Sequence, residues 1–113
     1  MPADAYERYQ TDAIAMASPA RLVTLLYDHL ALDLVRAGEC IEARDVPGSH
    51  AALIHAQRIV MMLRSSLRDD LWEGGPDLRR IYDFLHREMV RANLYRDAER
   101  VRDCLHLVQP LQQ

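Results

Sequence analysis

The chain has 113 residues, 50% of them hydrophobic and 27% charged, with a formal net charge of -3. That size predicts one domain that buries roughly two thirds of its unfolded surface without metal or disulfide staples, and the acidic balance excludes a nucleic-acid binder working by phosphate neutralisation. All 14 basic residues are arginine, so a phosphate-loop lysine and a Schiff-base lysine are both ruled out.

Residues 1–17 carry Tyr6, Tyr9, Ile14 and Met16 among polar residues, with no cap and no sustained stripe. They are expected to form an extended or mobile N-terminal arm ahead of a helical domain over 18–113. Alternating β-branched runs do not occur, whereas apolar i, i+3, i+4 spacing recurs throughout, so the expected fold is all-α. The first helix should start with Ser18 as N-cap and Pro19 at the first helical position. It is expected to run to about Arg44, where Asp45-Val46-Pro47-Gly48 reads as a turn. A second helix is expected from near Ser49 to about Leu71, with Ala52, Ala56, Ile59, Val60, Leu63 and Leu67 on one side, broken by Glu73-Gly74-Gly75. Pro76 restarts a third, striped by Leu78, Ile81, Tyr82, Leu85, Met89 and Ala92, with Asn93 as its expected C-cap. A short fourth helix follows from about Asp97, with Ala98, Val101, Leu105 and Val108 inward, until Pro110 stops it. Four helices joined by short loops predict an antiparallel four-helix bundle.

The first helix carries more apolar surface than one bundle face needs. Leu22, Leu26, Leu30, Leu34, Ala37 and Ile41 form one stripe, and Val23, Tyr27, Ala31 and Val35 form a second beside it. Leu25 and Leu32 open a third side. Such a helix either lies centrally among its neighbours or offers a groove to another helix or extended peptide. Tyr6 and Tyr9, with amphipathic rings three residues apart, are candidates to lie over that groove.

Several pieces occur together in one order along the chain: Tyr6-x-x-Tyr9-Gln10, Ser18-Pro19-x-x-Leu22-Val23-x-x-Leu26-Tyr27-Asp28, Gly74-Gly75, Ile81-Tyr82-Asp83-Phe84, Ala92-Asn93 and Asp97. In this combination the sequence resembles the FliS family of flagellin export chaperones. The resemblance implies a cytoplasmic, non-enzymatic chaperone that binds the C-terminal helical region of flagellin in an equimolar complex. Binding would prevent premature polymerisation and keep the subunit competent for type III export through the flagellar export machinery. Arm exchange offers a route to a dimer. The expected partner-binding residues are Tyr6, Tyr9, Leu22, Leu26, Tyr27, Ile81, Tyr82 and Leu85, facing the client or supporting the surface that does. The chain departs from the family pattern in a shorter segment between Gly75 and Ile81, in His29 after Tyr27-Asp28, and in a short tail interrupted by Pro110.

Other chemistry finds little footing in the sequence. The five histidines offer no HxxxH or ExxH pair, so no metal site and no cofactor are expected. Cys40 and Cys104 lack CxxC spacing and read as reduced thiols. No apolar run approaches the length of a membrane span, and the start MPADAYERYQ does not resemble a signal peptide. A histidine phosphotransfer domain is also a four-helix bundle, with His29 and His86 as candidate carriers. Neither is accompanied by a lysine to hold phosphate, and Asp28 beside His29 repels an incoming anion. A general helical adaptor for a regulatory protein is the remaining alternative. The carboxylates Asp28, Asp69, Asp70, Glu73 and Asp83 show no spacing that brackets a reacting bond, so no catalytic residue is expected.

Overall fold

The computed structural model describes residues 18–68 and 73–112. The expectations for Tyr6, Tyr9 and the rest of the N-terminal arm therefore fall outside the described residues, as do Asp69 and Asp70. Among the described residues four helices follow one another: α1 (Pro19–Glu42), α2 (Val46–Ser66), α3 (Gly75–Tyr95) and α4 (Ala98–Val108), the last continuing into a 3-10 turn over Gln109–Gln112. They form the expected antiparallel bundle. α1 packs on α2 and α4, α2 packs on α3, and α3 packs on α4. The Tyr27 and Tyr82 hydroxyls share a hydrogen bond that ties α1 to α3 through the interior.

Local chemistry explains most helix ends. Ser18 is extended, and its Oγ accepts the Arg21 amide at 3.2 Å, so one of the orphan donors of the first turn is satisfied. Asp45-Val46-Pro47-Gly48 is not the turn expected from sequence. Asp45 is the N-cap of α2 and accepts the Gly48 amide at 3.0 Å, while Pro47 and Gly48 lie in the first helical turn. Reversal of the chain is left to Ala43 and Arg44, the latter left-handed at φ 59. Position 48 leaves no room for a side chain unless the Asp45 cap and Cys40 shift. A Cβ there would collide with the Asp45 carboxylate and come within 2.9 Å of Cys40 Sγ.

α2 ends at Ser66, short of the expected Leu71. The Ser65 and Ser66 hydroxyls both donate to the Met62 carbonyl at 3.0 Å, competing with the backbone ladder, and Leu67 turns extended. α3 starts one residue before Pro76 and runs past the expected cap. Asn93 stays helical because its side-chain amide is used across the bundle, donating to His50 Nδ1 at 2.9 Å. Arg96 takes the left-handed position instead, at φ 50. Asp97 then caps α4 by accepting the Glu99 and Arg100 amides at 3.1 and 3.2 Å.

The core is built from Leu30, Leu34, Leu53, Val60, Leu85, Met89, Val101 and Val108, all essentially without solvent contact. Cys104 belongs to it, and burial followed by the nearby Glu88 and Asp103 pushes its thiol up to about 12. Burial and the Asp45 carboxylate also raise Cys40. Both cysteines are free, and at neutral pH both are held in the weakly nucleophilic thiol form.

One core position is charged. Asp33 on α1 is 6% exposed and pairs with His55 Nδ1 on α2. Burial raises the Asp33 carboxyl above the ordinary 3.8, outweighing His55, Arg36 and His29, which pull it down. A carboxyl raised on folding favours the native state most below 3.8 and loses that contribution as pH rises through its folded value. Asp33→Asn should therefore gain stability relative to the parent as pH is raised from about 4 to about 7, read as the difference in urea midpoints. A difference moving the other way would show that the His55 pairing, not desolvation, governs this carboxyl.

Candidate functional site

Helix length decides where the bundle is incomplete. α1 has 24 residues and α3 has 21, but α4 has only 11. α4 begins beside the C-terminal half of α1, where Val101 lies against Gly38 and Arg102 approaches Glu42 at 3.8 Å. On its other side Arg100 bonds Glu88 of α3 at 3.0 Å. The 3-10 turn after it comes level with Asp28, whose carboxylate accepts the Gln112 side-chain amide at 3.2 Å. From Pro19 to Asp28, about 14 Å of α1 has no fourth helix alongside among the described residues.

The consequence is visible in two residues on one helical face. Leu30 and Val23 are separated by two turns and have nearly the same angular position on α1. Leu30 is 0% exposed and Val23 is 39% exposed. Cover is thus lost between them, on the inward side of the helix. On α3, Ile81 stands two turns before Glu88, on the side that meets α4 higher up, and it is only partly buried. Leu78 is also partly buried, and Phe84 is exposed with the Arg87 guanidinium 6.0 Å from its ring centroid. Val23 on α1 and Leu78, Ile81 and Phe84 on α3 lie in the N-terminal halves of their helices, within about two turns along each helix of the hydrogen-bonded Tyr27–Tyr82 pair. Burial, and then the Tyr27 bond, push the Tyr82 hydroxyl far above the usual tyrosine range, so it stays protonated. The hydrogen bond fixes both rings, and the neutral Tyr82 hydroxyl suits contact with apolar side chains.

Among the residues expected to meet a partner, Leu26, Tyr27, Tyr82 and Leu85 lie in the core. Leu22 and Ile81 are partly buried and packed against it. Tyr27, Tyr82 and Ile81 come together at the α1–α3 face, whereas Leu85 supports it from inside. Val23 and Phe84, outside the expected partner-binding set, are both exposed at 39%. For Val23 the signal was present, in the second apolar stripe of α1. For Phe84 it was the aromatic directly after Tyr82-Asp83. Among the described residues no group of three or more His, Cys, Asp or Glu side chains is placed to hold a metal ion. No described helix is long and apolar enough to cross a membrane.

Comparison with known proteins decides the family. The model of the flagellar protein FliS family matches residues 2–113, nearly the entire chain. The chain belongs to the FliS family. It is 34% identical over 95 residues to the flagellar secretion chaperone FliS of Salmonella typhimurium, covering 80% of this chain and 69% of that protein. It is 29% identical over 92 residues to the flagellar secretion chaperone FliS of Bacillus subtilis, covering 81% of this chain and 68% of that one. In this FliS family member the bundle, the double-glycine turn and the Tyr27–Tyr82 pair are built by the segments that carried the resemblance in the sequence.

Proposed function

We propose that the protein is a non-enzymatic cytoplasmic chaperone that binds the C-terminal helical region of flagellin. It does so as a monomer in an equimolar complex, prevents premature polymerisation and keeps the subunit competent for type III export by the flagellar machinery. The observation that carries this reading is the loss of cover between Leu30 and Val23 on the inward side of α1. A helix there would extend the line of the short α4 and bury Val23, Ile81 and Phe84. Membership of the FliS family supplies the class of client. Coupled ordering of a flagellin segment on a preformed bundle gives a large contact at an entropic cost, which makes the complex specific and still releasable.

Capture of purified flagellin on the immobilised protein tests this, using full-length flagellin and flagellin lacking its C-terminal helices. Full-length flagellin should be retained and the truncated form lost. Equal retention of the two overturns the proposal.

A further inference from the structure

The short turn after α4 stands at the border between covered and uncovered α1. Pro110 has no amide to give the His106 carbonyl, so the α-helical ladder stops and the chain tightens into the 3-10 turn Gln109–Gln112. That turn packs on both α4 and α1. Leu111 lies against the core, and the Gln112 side-chain amide donates to the Asp28 carboxylate. Asp28 is next to Tyr27 and one turn from Ala31, both buried, whereas Val23, one turn nearer the start of α1 on the same stripe, is exposed. Among the described residues, the cover of α1 on its α4 side therefore stops where this turn lands.

The turn is held weakly. None of its residues is buried, Leu111 is covered only in part, and the Gln112–Asp28 bond is exposed to solvent. An exposed hydrogen bond of this kind exchanges readily with water and adds little net stability. A segment with few buried apolar contacts opens at low free energy. The bundle is anchored without it, since Val101, Cys104 and Val108 of α4 are buried and Arg100 is paired with Glu88. The turn nevertheless occupies the place where a helix extending the line of α4 would begin.

We propose that this turn is an autoinhibitory plug: Leu111 closes the end of the client face nearest α4, and the flagellin segment displaces it on binding. The inference rests on the client reading given above. Displacement lengthens the contact by about one turn of α1, from Asp28 to Ala31. The observed affinity is then the intrinsic one reduced by the fraction of molecules in which the turn is lifted. An apolar segment that does not displace Leu111 is confined to the shorter stretch from Pro19 to Asp28, so the plug discriminates against short or poorly matched segments.

Amide hydrogen exchange of the full chain, free and saturated with full-length flagellin, reads the turn directly. The Leu111 and Gln112 amides should exchange faster in the complex, while those of Cys104 and Val108 stay protected. Calorimetric titration with flagellin then compares Leu111→Ser and Gln112→Ala with the parent. Leu111→Ser should bind about three- to tenfold more tightly and Gln112→Ala about twofold, because each raises the lifted fraction. Gln112→Ala removes only the exposed bond and should melt with the parent, so it decides the question if Leu111→Ser unfolds early. Slower or unchanged exchange in the turn overturns the plug, as does equal or weaker binding by the folded variants; either result makes the turn a fixed stop against which the client abuts. Equal capture of full-length and C-terminally truncated flagellin by the parent overturns the client reading, and the plug with it.

Discussion

Replacing Leu85 by alanine should lower the unfolding free energy by about 2–5 kcal/mol. Leu85 is 0% exposed and lies on α3 one turn from both Tyr82 and Met89, themselves buried. Removing the branched end of its side chain loses transfer free energy and leaves a cavity that three surrounding helices cannot close without moving. Against a total stability on the order of 5–15 kcal/mol for a domain of this size, this is a large fraction. The check is urea denaturation followed by helical circular dichroism, in which the midpoint should fall with the slope unchanged. A loss below about 1 kcal/mol would show that the site collapses around the smaller residue. Because Leu85 supports the client face from inside and does not border it, weaker flagellin capture by this variant should track its unfolded fraction. It should recover when capture is repeated at a temperature where the variant is fully folded.

How far the sequence disclosed the molecule depends on whether a feature is local. Ser18 and Pro19 announced the start of α1 because an N-cap needs only residues within one turn, and the Ser18–Arg21 bond is that interaction. Asp45 was misread because Asp followed by Pro and Gly suits both a turn and a capped first turn. The two differ only in where the carboxylate points, and here it points at the Gly48 amide. The end of α3 was misplaced for a different reason. Asn93 has the right local preference for a C-cap, but a partner forty-three residues away, His50, holds its side chain and keeps it helical. Asp33 gave no sign of burial, since a polar residue inside a broad apolar arc reads as its margin. On α1 the periodicity showed a surplus of apolar residues without dividing it. The division came from the length of α4, which leaves Val23 exposed, while Tyr27 and Ala31, from the same stripe, are buried.

That division yields the sharper test of the client face. Val23→Asp should weaken flagellin capture by about 30- to 1,000-fold, the equivalent of about 2–4 kcal/mol, because the carboxylate must lose its water against an apolar helix. Stability should change by no more than about 0.5 kcal/mol, since Val23 is already 39% exposed in the unliganded bundle. Leu32→Asp is the matched control. It places the same charge on the same helix at a residue 44% exposed but facing outward. If capture depended on the net charge of α1, the two variants would lose affinity together. If it depends on apolar contact along the line that α4 leaves uncovered, only Val23→Asp is impaired. Calorimetric titration of flagellin into each variant measures the difference. Parent-like affinity for Val23→Asp, or equal losses in both variants, would move the client away from the α1–α3 face. An isolated loss in Val23→Asp ties the binding of an apolar segment to the stretch of α1 that the described fourth helix, ending at Val108, leaves uncovered.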